Sequence, residues 1–449
     1  MFYLHHNRQL PVWLRNLKRV VLAVMCAMSA TIALLAVLHL TSTAPQGGSN
    51  SAPLVLAEYQ AWHGLSTHWN PPYTSTDPLV ISRHIQMAQA MGINGFVVDW
   101  YGPPSGLSND IDRAFIDQAT AELIRQSEAR GFKVALMYDE GTISNTVLLT
   151  TLRETRAISD LVYAQRYFTS PAYLNIDGHP ALFVFPYPEV DPDITWSHVR
   201  SQLSFTVTLV DEGPNTDDQV HDLQFDGFYA WVQPSASGWM TDGSEWGHDY
   251  LTWFYNVMAG LAPTYTSRIA IGGVWPGFDD SNAPWGHYPY RYMWPRCGQT
   301  WRDTWQLAHQ YNPPYVMIDT WNDFEEGTGI EYGLGDCLIQ SQRRSMLPAR
   351  TIIYTNVLTN TGKFIDTFTL TASSSDGWPV GISPTSATLL SHTGTLVTIT
   401  LIVPITAHAG AVDALTVTAT SQISPSVYSS LVNTTTVLYG IYLPVVRHG

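Results

Sequence analysis

Three carboxylates fall within four residues in the stretch Trp321-Asn322-Asp323-Phe324-Glu325-Glu326-Gly327-Thr328. Like charges raise each other's cost of ionisation, so folding alone gives no reason to crowd them. Glycosidic bond cleavage does give one. It needs one carboxyl group to protonate the leaving oxygen and a second to handle the charge that develops on the sugar ring. The apolar run from Tyr315 to Thr320 lies just before these acids and reads as a buried strand. Acids and aromatics at the end of such a strand describe the edge of a site. If the segment stays extended, Glu325, between Asp323 and Glu326, is expected to point the other way.

The elements that would position this pair alternate along the chain. Apolar runs predict strands at Leu54–Tyr59, Gly95–Trp100, Lys133–Tyr138, Ala181–Phe185, Thr206–Val210, Gly227–Trp231, Arg268–Trp275 and Tyr315–Trp321. Helical patterns fall between most of them, most clearly at Pro78–Met91, Ile111–Arg130, Asn145–Arg166, Tyr250–Leu261 and Thr300–Tyr311, and more weakly at Ile194–Leu203 and Gln219–Leu223. Near-continuous apolar strands alternating with helices predict an α/β fold, a parallel (β/α)8 TIM barrel. In such barrels the C-terminal strand ends carry the chemistry. Here those ends deliver acids and aromatics: Tyr59, Asp99, Trp100, Tyr101, Asp139, Glu140, Tyr187, Asp211-Glu212, Trp231 and Trp275. The expected substrate contacts are Tyr59, Asp99, Trp100, Tyr101, Asp139, Glu140, Trp231, Trp275, Trp321 and Asn322. His63 and His68 read as structural histidines or as substrate contacts, and Asp279-Asp280 as a loop cap or a further cleft wall.

Composition narrows the partners. The chain has 37 Asp and Glu against 22 Lys and Arg, a net charge of -15, which leaves no basic stripe for nucleic acid. Sixteen Trp and 23 Tyr supply rings that can stack on sugar faces, so the expected partner is a polysaccharide or oligosaccharide. Arg15, Lys18 and Arg19 precede an uncharged run from Val20 to Leu40, which predicts a transmembrane signal anchor or a cleaved signal peptide over residues 1–41. The chain is therefore expected outside the cell or at its surface, membrane-bound if the segment is uncleaved, and monomeric. A polar linker covers 42–53, and the barrel 54–346. Thereafter Thr, Ser and Val take over and alternating runs appear at Thr351–Thr359, Phe364–Ala372, Leu396–Val403, Ala414–Thr420 and Leu431–Leu438, which predicts an Ig-like β-sandwich over 347–449, with Ile441–Val446 as a last edge strand. Cys297 and Cys337 either pair or stand as two buried thiols. No spacing suggests a metal site, and no cofactor is expected.

Several motifs resemble a known group. Met91-Gly92-Ile93-Asn94-Gly95-Phe96-Val97-Val98-Asp99-Trp100-Tyr101-Gly102, Asp177-Gly178-His179-Pro180-Ala181-Leu182, Phe225-Asp226-Gly227-Phe228-Tyr229 and Trp321 to Thr328 with Ile330-Glu331 are similar to motifs of glycoside hydrolase family 99, the endo-α-mannosidases, and of its relative family 71, the α-1,3-glucanases. The resemblance implies a mannan-type α-linked glycan as substrate. It also implies Glu326 as general acid and then base, and Asp323 as the carboxylate that draws the proton from the sugar's 2-hydroxyl. Asp323 stands where family 99 has Glu, and family 71 has Asp at that place. This leaves three alternatives beside the mannan hydrolase: an α-1,3-glucanase-like enzyme, a weakened surface glycan-binding protein, and a partner that trims the cell's own polysaccharide.

Overall fold

The computed structural model describes residues 52–438 apart from 105–110, 145–149, 187–193, 236–237, 240–244, 262–264, 266, 287–290, 332, 334–335, 340, 363–364 and 426. The expected membrane or signal segment, most of the linker, Tyr187 and the Ile441–Val446 strand lie outside the described residues. Among the described residues no helix is long and apolar enough to cross a membrane.

Eight parallel strands close on themselves. They are β1 (Leu54–Tyr59), β2 (Gly95–Trp100), β3 (Lys133–Asp139), β4 (His179–Phe185), β5 (Thr208–Glu212), β6 (Gly227–Tyr229), β7 (Ile269–Val274) and β8 (Tyr315–Ile318). Each pairs with its neighbours in chain order, β3 with β4, and β8 pairs back to β1 with Leu54 opposite Tyr315. The expected barrel is present. Helices occupy the crossovers at Pro78–Ala90, Ile111–Glu128, Thr150–Phe168, Trp196–Gln202, Gln219–Asp222, His248–Asn256 and Gln299–Tyr311. The first starts where the sequence makes it start: the Leu79 N–H donates to the Asp77 carboxylate (2.8 Å) and Pro78 occupies the first helical position.

Strand alternation divides the core in two. Leu56, Val97, Met137, Phe183, Val210, Tyr229, Ile271 and Met317 fill the barrel interior. Their neighbours Ala57, Val98, Leu136, Leu182, Leu209, Phe228 and Ile318 face the helices. Side chains two positions apart share a face. The interior face therefore continues upward as Glu58, Asp99, Asp139, Phe185, Glu212, Trp231 and Asp319, one step beyond the apolar layer on seven of the eight strands.

The C-terminal part forms two sheets over one core. One holds Leu338–Ile339, Thr351–Thr359, Gly394–Ile402 and Val380–Ser383, the other Arg343–Met346, Tyr428–Val437, Val412–Ser421, Asp366–Ser374 and Ser386–Leu389. Tyr354, Leu358, Phe368, Leu370, Val397, Ile399, Leu415 and Val417 are buried between them. The five expected strands are present, Thr351–Thr359 with the expected ends and the other four with shifted ends. Four shorter strands, at 338–339, 343–346, 380–383 and 386–389, have too little alternation to announce themselves.

Cys297 and Cys337 form a disulfide across a sequence separation of 40 residues. It ties the start of the Gln299–Tyr311 helix to the first sandwich strand and encloses the whole acid motif. Closing a loop of this length removes about 4 kcal/mol of unfolded-chain entropy. Denaturant titration of Cys337→Ser, or of the reduced protein, is expected to show a loss of about that size; an unchanged midpoint would overturn the assignment.

Candidate active site

The loop after β8 is a closed turn. The Thr320 N–H donates to the Thr328 carbonyl (3.1 Å), the two hydroxyls lie 3.1 Å apart, and the Gly329 N–H donates to the Asp323 carbonyl (2.8 Å). Inside it, the N–H groups of Glu325 (2.9 Å) and Glu326 (2.8 Å) both donate to Asp323 Oδ1, as at a helix N-cap. The segment is therefore a turn and not the expected extension. Residues three apart in a turn lie on the same side, so Asp323 and Glu326 converge and Glu325 points away. Gly327, at φ +67°, ends the turn in the left-handed region that favours glycine, and the Asp279 N–H donates to the Glu326 carbonyl (2.8 Å).

Each member of the pair keeps one oxygen for the cleft. Asp323 is 2% exposed and Glu326 is 8% exposed. Asp323 Oδ1 is occupied by the turn. Glu326 Oε1 accepts from Trp285 Nε1 (2.8 Å) and lies 3.7 Å from Arg291 Nη2. Arg291 is itself held by Asp280, whose carboxylate accepts from its Nε and its backbone N–H, both at 2.8 Å. Among the described residues, Asp323 Oδ2 and Glu326 Oε2 have no hydrogen-bond partner and are not sealed from solvent.

Strand parity sorts the expected contacts. Asp99, Asp139 and Trp231 face the barrel mouth, and Tyr101 follows on the same face as Asp99. Asp139 also accepts the Gly141 N–H (2.6 Å). The opposite-parity residues do not reach the cleft. Tyr59 packs on Phe96 and its hydroxyl meets His84 Nδ1 (3.1 Å). Trp100 donates to Asp117 (3.1 Å) among Tyr138, Tyr163 and Tyr167. Glu140 accepts from Trp196 (2.6 Å). Trp275 and Trp321 have the interior parity of Ile271 and Met317 yet turn into the outer core: Trp275 folds beneath the loop at 246–247 and donates to the Trp246 carbonyl (3.0 Å), and Trp321 packs on Phe96 and His84. Asn322 is a clasp: its amide accepts from the Gln60 N–H (2.7 Å) and donates to the Gln60 carbonyl (2.9 Å). Sequence reading missed Glu58 and Gln60, which period-two counting from Leu56 would have found, and it named Asp211-Glu212 without selecting Glu212, which counting from Val210 does. It also missed Trp285 and Arg291, which a loop delivers without any periodic signal.

The mouth is strongly acidic and poorly solvated. Burial first, and then the neighbouring Asp99 charge, push the Glu58 carboxyl well above the usual carboxylate range. Burial and the Asp139 charge do the same to Asp99, and burial and Glu212 to Asp319, neither of whose oxygens has a partner. Asp323 is pushed up by burial and by Glu326, against the pull of the turn N–H groups. Burial takes Asp139 to about 6 and Glu212 to about 7. Glu326 is raised by burial, with the Trp285 N–H and Arg291 opposing. This is the pattern a general acid requires. Among the described residues no cluster of His, Cys, Asp and Glu could hold a metal ion.

These shifts fix a pH dependence. The folded state binds more protons than the unfolded state from the usual carboxylate range near 4 up to at least the 6 and 7 of Asp139 and Glu212. Stability supplied by these groups is full below that window and is lost as pH rises through it. Scanning calorimetry is expected to give a lower melting temperature at about pH 8 than at about pH 5, and Glu212→Gln to flatten the upper part of the fall. A melting temperature that rises across that interval would contradict the reading.

No family model matches the chain. It is 23% identical over 305 residues to a glycoprotein endo-α-1,2-mannosidase of Xenopus laevis, covering 63% of this chain and 62% of that one. It is 23% identical over 278 residues to a glycoprotein endo-α-1,2-mannosidase-like protein of Mus musculus, covering 58% and 56%. The chain thus spans less than two-thirds of the length of these relatives. A solved family 99 endo-α-mannosidase from Bacteroides thetaiotaomicron superposes with a TM-score of 0.47 at 18% identity, covering 62% of this chain and 86% of that one. The chain is similar in sequence to the glycoprotein endo-α-1,2-mannosidases.

Proposed function

We propose that this protein is an exported glycoside hydrolase that cleaves α-linked, mannose-type glycans. Glu326 serves as general acid and then base, and Asp323 as the carboxylate that assists attack at the anomeric carbon. The observation that carries this reading is the turn. It sets two carboxyls one helical turn apart on one side, each anchored through one oxygen with the other open. A fixed carboxyl loses little freedom on reaching the transition state, which is the advantage of a positioned group over a mobile one. Burial favours the protonated Glu326 needed to donate to the glycosidic oxygen. Asp323 Oδ2 is free to accept the sugar's 2-hydroxyl proton while Oδ1 stays in the turn.

Export is supported by the Val20–Leu40 run and its basic flank. The C-terminal sheets are read as an Ig-like spacer. A second reading, an α-1,3-glucanase-like hydrolase, is favoured by Asp in place of Glu at position 323.

Glu326→Gln is expected to lower kcat/KM on unactivated α-mannan by about 10²–10⁴-fold with an unchanged melting temperature. An aryl glycoside with a good leaving group should suffer less in the first step, because it needs no proton. Near-wild-type cleavage of mannan by this variant would sink the assignment. New reducing ends from α-1,3-glucan alone would select the second reading. Oligosaccharide retention without new reducing ends would mark a binding protein.

A further inference from the structure

Glu325 is turned away from the Asp323–Glu326 pair, yet it has a partner of its own. Its Oε2 lies 2.9 Å from His68 Nδ1, and its Oε1 accepts the Trp69 N–H (2.8 Å). The His68 ring lies flat on Trp62, with centroids 4.3 Å apart and planes 3° apart. Its other neighbour is Trp285, edge-on at 5.8 Å, the residue that donates to Glu326. Glu325, the stacked Trp62 and the loop at 68–69 thus hold the imidazole in one orientation. A carboxylate at Nδ1 takes that nitrogen's hydrogen, so in the neutral ring Nε2 carries the lone pair. Among the described residues Nε2 has no hydrogen-bond partner, and it is not one of the sealed polar atoms. Trp285 keeps 40% of its surface exposed at the same wall.

We propose that His68 is a sugar-binding residue on the leaving-group side of Glu326, with Glu325 as its positioning residue. His68 Nε2 accepts a hydroxyl hydrogen from the sugar unit that stacks on Trp285. The inference rests on the glycan-cleaving reading above and extends it from the reacting bond to the unit beyond it. It also gives a physical reason for a third acid in the motif. Without His68 and the Trp69 N–H, Glu325, at 1% exposure, would be a buried charge with nothing to offset its desolvation.

The test uses the full chain with the Glu326→Gln substitution, so that sugar binds without turnover. Histidine ¹⁵N spectra should show the Nδ1–H tautomer for one residue. That signal should be absent in His68→Phe, which keeps a ring on Trp62, and should change tautomer in Glu325→Gln. Titration with α-1,2-mannobiose and, separately, α-1,3-glucobiose should shift the His68 Nε2 resonance. His68→Phe should weaken binding roughly tenfold, the scale of one hydrogen bond, in protein that keeps its folded spectrum although the loss of Glu325's partner lowers its melting temperature. In the active enzyme the same change should raise KM and leave kcat nearly constant. Sugar binding with an unmoved Nε2 resonance and full affinity in His68→Phe would overturn this inference and leave the glycan reading intact. No binding of either disaccharide would overturn the glycan reading, and this inference with it.

Discussion

A β-strand has two faces, and closing eight strands into a barrel sends one of them into a lumen that water scarcely enters. Every side chain that follows the interior apolar layer on a strand is committed to the same small space at the mouth. In this protein that rule gathers Glu58, Asp99, Asp139, Glu212 and Asp319 beneath the Asp323–Glu326 turn. Parallel pairing fixes who meets whom. Glu58 sits opposite Val97, two residues before Asp99, and Trp321 donates its N–H to the Glu58 carbonyl. The electrostatics follow from this geometry. Carboxyls that share a poorly solvated space cannot all ionise.

The acid turn depends on the barrel for its stiffness. It starts where β8 ends and is stitched back to β1 at the closing seam. The Asn322 amide exchanges two hydrogen bonds with the Gln60 backbone, and His63 Nε2 lies 2.9 Å from the Asn322 carbonyl. Glu331 continues the seam outward, accepting from Tyr73 (2.7 Å) and meeting His84 (3.0 Å). Residues that looked like substrate contacts therefore have another task. Asn322, Trp321 and Tyr59 secure the frame in which Asp323 and Glu326 are held. The Asn322 amide is spent on the Gln60 backbone and the Tyr59 hydroxyl on His84, while the open carboxylate oxygens belong to the turn itself.

Legibility in the sequence followed the same physics. The eight strands were readable because a buried parallel strand is an apolar run, and their ends were readable because acids and aromatics interrupt that run. Which residue of each pair faces the lumen was also present in the sequence as a period of two. Counting from Leu56 selects Glu58 over Tyr59, counting from Val97 selects Asp99 over Trp100, and counting from Val210 selects Glu212 over Asp211. Trp285 and Arg291 were not readable, because they arrive from a loop whose path is set by Asp280 and by stacking of Arg291 on Trp239 and Phe278. Glu325 does point away from the pair, but through a turn and not through strand alternation. Its link to His68 spans 257 residues of sequence and leaves no local trace.

The two influences on Glu326 pull in opposite directions, and their balance is what a substrate can change. Burial favours the proton, while Trp285 Nε1 and Arg291 favour the charge. Glu326 Oε1 is committed to those donors, and Oε2 is the oxygen left to hold or release a proton. On the glycan-cleaving reading proposed above, a sugar lying across Trp285 would exclude the remaining water around this carboxyl and bring the glycosidic oxygen, an acceptor, towards Oε2. Loss of water penalises the charged form, and an acceptor rewards the protonated one. Both move Glu326 towards the state in which it can donate. Once the leaving group departs, the acceptor is gone and water returns. Trp285 and Arg291 then stabilise the carboxylate, which is the state needed to take a proton from the incoming water. On that reading the same donors that oppose the acid in the resting site would support the base in the second step, and one carboxyl would serve both.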